Sequence, residues 1–339
     1  MDSITQITLG AAVGEAVLGR KVGNKAVIWG AAAGMIPDLD VLAAPLLSDV
    51  QRLTFHRGFS HSIVFAVMFA PILAYLIYKI HSKSETDWRD WTKLTFWSIF
   101  THPLLDSFTN YGTQLFQPFS DYQVAFNTIF VVDPFYTVPF LISVIALMFF
   151  QRTSRKRRIL CYLGLTVSSL YLGLTVVNKL YINHVFEKAL KQQNISYQRY
   201  FTNPTPFNNL LWRGVVEDEN GYYEGLYSLL DLDNRIQFRY IAKNHHLLET
   251  LKNHQEVDHL TRASKGFFVI SKKDSVLYFN DLRFGKLDMG LQDGGEYLFS
   301  FQIDQDERDG DKVVVQRNYP VRWPNKKVFN LFYQRILGI

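Results

Sequence analysis

Apolar residues along this 339-residue chain fall into two unlike patterns. Up to about residue 180 they form long continuous runs. Beyond about residue 185 they alternate with polar residues in short bursts, the pattern of half-buried strands. Residues 129–150 and 159–179 each approach the ~20 residues that a helix needs to cross a bilayer. Residues 62–80 are nearly as long. Residues 92–105 are shorter, with Trp91 and Trp97 suited to a membrane interface. Two Ala- and Gly-rich segments, 4–19 and 26–36, predict a closely packed pair of short helices, because small side chains let backbones approach in lipid. The fold class read from this pattern is an α-helical polytopic membrane domain, about six helices with the first two short, over residues 1–180. A soluble α+β domain follows over residues 185–339.

In that second part, residues 211–216 and 222–230 flank Glu219-Asn220-Gly221, and the Asn-Gly step signals a tight hairpin turn. Further strands are expected at 236–241, 266–271, 276–279, 297–303 and 312–316, and helices at 245–254 and 326–337. His245, His246, His254 and His259 lack any ligand spacing and read as solvated or structural.

The formal net charge is +5, which alone would admit a nucleic-acid partner. Much of the basic excess in the first half, however, lies in short links between apolar runs, as membrane insertion requires, so nucleic acid is set aside. Alternate links hold twelve Lys and Arg: Arg20, Lys21 and Lys25, then Lys79, Lys83, Arg89 and Lys93, then Arg152, Arg155, Lys156, Arg157 and Arg158. The opposite links, 37–61 and 106–128, hold only Arg52 and Arg57. Basic residues favour the cytoplasmic side, so the first set is assigned there, and residues 155–158 read as a topogenic anchor. The opposite links and the C-terminal domain are then extracytoplasmic. Cys161 is the single cysteine, so no disulfide framework exists. The first segment lacks a basic leader and contains Glu15, which argues against a cleaved signal peptide.

Three clusters border the apolar runs on the extracytoplasmic side: Pro37-Asp38-Leu39-Asp40, His56-Arg57-Gly58-Phe59-Ser60-His61-Ser62 and His102-Pro103-Leu104-Leu105-Asp106. Ionisable groups are costly beside hydrocarbon and need a reason to be there. Each cluster alone has an ordinary reading: a helix cap or local hydrogen bond for His102 and Asp106, an interfacial loop for His56 and His61, with Ser60 capping the next helix, and a solvated turn for Asp38 and Asp40. Together, at one face, neutral imidazoles and carboxylates form a ligand set for a divalent metal, zinc with manganese or iron as alternatives. Asp38, Asp40, His56, His61, His102 and Asp106 are the candidate ligands. Six exceed the usual set for one catalytic zinc, so one ion with Asp40 as a base and two ions both stand. Asp133, beside Pro134, is a further ligand, a group orienting a histidine, or the cap of its own helix. Arg57 either clamps an anionic group such as phosphate or neutralises the acids. Residues 107–120 read as a loop over the site.

These motifs, with Thr109 and Tyr111-Gly112 after the third, resemble the YdjM-like family of membrane-bound proteins described as metal-dependent hydrolases and as LexA-binding inner-membrane proteins. The resemblance covers about residues 1–150. It implies a bacterial inner-membrane protein whose motif histidines and aspartates form the metal site. Many relatives carry histidine after a threonine near the start; here Thr5 is followed by Gln6, a poor zinc ligand. The expected function is hydrolysis by a metal-activated water at the extracytoplasmic face, on a membrane lipid or lipid-linked ester or phosphoester. Catalytic roles fall to Asp40, Arg57 and Asp133. Alternative readings are a metal or ion transporter, or a membrane scaffold with a structural metal and a protein partner for its C-terminal domain.

Overall fold

The computed structural model describes residues 1–82, 86–251, 254–274, 276–291, 295–305, 313–319 and 325–339. The chain divides into two units. The first comprises Met1–Ala43, Phe55–Asn178 and Pro206–Asn208; the second comprises Ala44–Thr54, Lys179–Thr205 and Asn209–Ile339.

The first unit is helical. α1 (Ser3–Val22) begins at Asp2, whose carboxylate accepts the Thr5 amide, and ends at Gly23 with φ +63°. α2 (Asn24–Met35) returns directly against it. A Cβ placed on Gly10 would lie 2.4 Å from the Gly30 carbonyl oxygen, and one on Gly14 2.3 Å from that of Ala26. These glycines are therefore required by backbone-to-backbone contact. A 3₁₀ segment, Pro37–Leu46, continues α2 through a 41° bend. α3 (Asp49–Phe55) and a short 3₁₀ turn, Phe59–His61, precede α4 (Ile63–Ile80), which is capped by Ser62 through the Phe65 amide. The capping residue is thus Ser62, not Ser60.

α4 is built inside out. Its buried residues are Ala66, Ala70, Ala74 and Ile77, while Val67, Met68, Ile72 and Leu76 are more than half exposed. Small side chains inward and large apolar ones outward are stable only where the surroundings are apolar. α5 (Trp88–Asp106) contains residues 92–105 but also carries Arg89, Asp90 and Lys93. The expected run 129–150 forms a shorter helix, α6 (Pro134–Leu147), because Asp133-Pro134 starts it late. α7 (Arg155–Gln192) is longer than the apolar run 159–179 implied. Among the described residues, α4 and α7 are long and apolar enough to span a membrane; α2 with its 3₁₀ continuation makes a third if taken as one bent span. The other segments expected to span are too short or too charged to meet the same measure of length and hydropathy.

Among the described residues, the second unit holds two four-stranded antiparallel sheets. β1 (Arg199–Pro204), β2 (Leu211–Glu217), β3 (Gly221–Ser228) and β4 (Arg239–Ala242) form the first in sequence order. The Asn-Gly turn joins β2 to β3, with the Asp218 amide donating to the Gly221 carbonyl at 2.9 Å. The last turns of α7 pack on this sheet through Ile182, Val185 and Phe186 against Trp212 and Tyr227. A 3₁₀ segment, His245–Leu251, and α8 (Gln255–Ala263) replace the single helix expected at 245–254. β5 (Phe268–Lys273), β6 (Val276–Asp281), β7 (Ser300–Gln305) and β8 (Val313–Asn318) form the second sheet, and α9 (Lys326–Ile336) ends the chain. Val50 and Leu53 pack with Leu248, Leu251 and Phe279 of this unit, so residues 44–54 leave the helical half of the sequence.

Candidate metal centre

Three separate stretches of the first unit meet at one point. The bend after α2 presents Asp38, the 3₁₀ turn before α4 presents His61, and the last turns of α5 present His102 and Asp106. The Nε2 atoms of His61 and His102 lie 3.2 Å apart. Asp38 Oδ1 is 3.3 Å from the first and 3.4 Å from the second. One ligand atom from each of these three residues falls within 4.8 Å of the others, a grouping able to hold a metal ion. Asp106 Oδ2 borders it, 3.6 Å from His61 Nε2 and 3.8 Å from His102 Nε2. The four-residue spacing on α5 produces the last contact.

The outer nitrogens fix the tautomers. His102 Nδ1–H donates to the Gly34 carbonyl at 2.6 Å. His61 Nδ1–H donates to Ser60 Oγ at 2.9 Å, and that hydroxyl donates onward to Asp40 Oδ2 at 2.9 Å. Both Nε2 atoms are therefore bare, with lone pairs facing each other and a carboxylate oxygen. Burial pushes the His61 imidazole down to about 4, against the pull of Asp38, so the ring is neutral near pH 7. Facing lone pairs and carboxylates repel unless a cation lies among them. The donor set therefore fits a divalent metal.

Asp40 and His56 stand one step back from the grouping. Asp40 accepts from Ser60, from His56 Nδ1 at 2.9 Å and from the Arg57 amide at 3.2 Å. His56 lies edge-on to His61, ring centres 5.6 Å apart, and its side chain is 29% exposed. Arg57 is buried with a left-handed backbone, φ +63°, a conformation that a non-glycine residue keeps only when its surroundings enforce it. Its Nε lies 3.2 Å from Asp106 Oδ2, its Nη1 donates to Thr109 Oγ1 at 2.8 Å, and the guanidinium sits 4.8 Å from the Tyr111 ring centre. The 107–120 segment packs here, with the Gln114 amide donating to the Arg57 carbonyl and the Ile63 amide to that of Leu115. Asp133 caps α6 through the Phe135 and Tyr136 amides and accepts from the Tyr171 hydroxyl at 2.9 Å.

Three further groups touch the centre without a motif to announce them. Gln6 Nε2 donates to Asp106 Oδ1 at 2.8 Å, while its buried Oε1 has no hydrogen-bond partner among the described residues. The Met1 amino group also donates to Asp106 Oδ1. The Gly34 carbonyl is the third. Position 6 had one advance signal, the resemblance by which many relatives carry histidine after a threonine where this chain has Thr5-Gln6.

A family model described as YdjM inner membrane protein matches residues 1–182, which include every residue of this centre. The uncharacterized protein YfhP of Bacillus subtilis (strain 168) is 27% identical over 254 residues, covering 70% of this chain and 72% of its own length. No solved structure matches the chain. With motifs, helical setting and more than half of its length matched, the chain belongs to the YdjM inner membrane protein family.

Proposed function

We propose that this chain is a membrane-embedded, metal-dependent hydrolase acting at the extracytoplasmic surface on an amphiphilic ester or phosphoester. The observation that carries the reading is the pair of bare Nε2 atoms 3.2 Å apart beside Asp38. Asp38, His61 and His102 would hold the ion, zinc in preference to manganese or iron, with Asp106 at its border. A divalent ion there supplies Lewis acidity and draws the pKa of a coordinated water toward ~7.

The remaining roles belong to the chain's own residues. Asp40, accepting from His56 Nδ1, holds that ring with Nε2 free to take a proton from the attacking water. Through Ser60 the same carboxylate orients His61. Arg57, fixed by Asp106 and Thr109, faces an anionic group of the substrate. The alternation of twelve basic residues against two supports six membrane segments, with the motif clusters and the C-terminal domain extracytoplasmic.

The test is turnover by purified protein, stripped with chelator and reloaded, across carboxylic-ester and phosphoester panels. Activity should return with metal, and His56→Gln should lower kcat by roughly 10²–10⁴ with metal content unchanged. Folded, fully loaded protein inert on both panels would remove the hydrolase reading.

A further inference from the structure

A second polar site lies in the first unit, outside the His–Asp centre. A cavity of about 170 Å³ opens between the C-terminal end of α1 and the start of α7, lined by Glu15, Arg20, Arg152, Ser154, Arg155, Arg158, Cys161 and Tyr162 among others. Its volume is far above the ~10–15 Å³ that one ordered water needs. Four arginines line it, and its one acid is already committed: Arg157 grips Glu15 through Nε at 2.7 Å and Nη2 at 2.6 Å. Arg157 is itself fully engaged, since its Nη1 donates to Asn24 Oδ1 at 2.7 Å and to the Phe150 carbonyl at 3.0 Å. That buried pair is structural, and among the described residues the four lining arginines have no carboxylate partner, although Arg152 Nη1 donates to the Lys21 carbonyl. The N-terminal end of α7 adds its positive dipole to the same side.

The surroundings identify the kind of anion. Immediately past the arginines, α7 exposes Ile159, Tyr162 and Leu163, each about half exposed, and Phe149 before them is 83% exposed. A cationic cavity rimmed by outward apolar side chains, at the end of a helix long enough to span a bilayer, matches a ligand with a phosphate head and hydrocarbon tails. A charge run that served insertion alone would need no cavity.

We propose that this cavity binds the phosphate headgroup of an anionic phospholipid, with Arg20, Arg152, Arg155 and Arg158 as its cationic contacts and the exposed face of α7 against the acyl chains. Along α1, Gln6 at the His–Asp centre and Arg20 here are separated by 14 residues, or ~21 Å of helix. The lipid site is therefore a separate feature of the molecule, and it holds or fails independently of hydrolysis.

Native mass spectrometry of the full chain released from nanodiscs, with phosphatidylglycerol competing against phosphatidylcholine, tests it. Wild type should retain phosphatidylglycerol preferentially. Arg155→Gln should reduce that retention roughly fivefold, and the Arg152→Gln/Arg155→Gln/Arg158→Gln variant should abolish the preference. Lys79→Gln/Lys93→Gln, which removes exposed charge elsewhere, should leave it intact. If the triple variant does not fold, the single variant decides. Equal retention by wild type and Arg155→Gln overturns the proposal, as does equal loss in the lysine control. Displacement of the lipid by millimolar inorganic phosphate would overturn the assignment to lipid.

Discussion

At the scale of single residues, the two carboxylates nearest the paired imidazoles differ in kind. Asp106 is buried and serves Arg57, the Met1 amino group and Gln6; Asp38 has an 18% exposed side chain and, among the described residues, pairs with His61 and His102. Removing one partner of a buried ion pair costs about 3–5 kcal/mol, because a charge stays buried alone. Asp106→Asn should therefore lower the Tm of metal-free protein strongly, and Asp38→Asn hardly at all, although Asp38→Asn should abolish metal binding. Equal Tm values for the two variants would show that Asp106 carries no structural charge role. The residue types and the four-residue step from His102 to Asp106 were legible in the sequence. The outward turn of Asp40 through Ser60 was not, because it depends on a 3₁₀ turn and on the left-handed backbone of Arg57, neither of which helical spacing encodes.

At the scale of elements, close packing of α1 on α2 rests on glycine. Gly30→Ala places a Cβ 2.3 Å from the Gly10 carbonyl oxygen, a contact relieved only by parting the helices. Overpacking of this kind costs about 1–3 kcal/mol, so thermal unfolding should show a clear loss, whereas Ala32→Gly on the exposed side should not match it. In the first sheet, Glu224 is buried and receives Arg213 Nε and, at 2.8 Å, Arg239 Nη2. Burial, the largest influence, pushes this carboxyl upward, but the two guanidiniums together hold it below its ordinary value of 4.5. A depressed carboxyl stabilises the fold above the unfolded-state value and loses that contribution as pH falls through the folded-state value. The Tm gap between wild type and Glu224→Gln should thus be widest above about pH 4.5 and close on acidification. A gap that widens toward low pH would contradict the assignment. The β2–β3 hairpin was legible because Asn-Gly dictates its turn, and the small-residue pair because Ala and Gly recur through both segments. β1 and α8 were missed: the first contains Pro204 and Asn203, poor strand residues held by pairing with β2, and the second follows a 3₁₀ segment that breaks the helical period.

At the scale of the whole molecule, the division near residue 180 follows the change from continuous to alternating hydrophobicity. Residues 44–54 were expected only as part of the link 37–61, because a segment this short and mixed does not announce what its few apolar side chains will pack on; here Val50 packs in the second unit. The proposed orientation is open to direct labelling, because Cys161 is the single cysteine and is buried. With a membrane-impermeant maleimide, Asp121→Cys should react in intact spheroplasts and Lys93→Cys only after permeabilisation, both positions being exposed. The reverse result would invert the topology and move the His–Asp centre to the cytoplasmic side.

Metal analysis of purified protein tests most directly for a cation held among Asp38, His61 and His102. Wild type should carry at least one equivalent of a divalent transition metal per chain. His61→Ala and His102→Ala should each lose it while His56→Gln keeps it. Folded wild-type protein that takes up no such metal when offered it, or a His61→Ala/His102→Ala variant that binds metal as wild type does, would contradict the account.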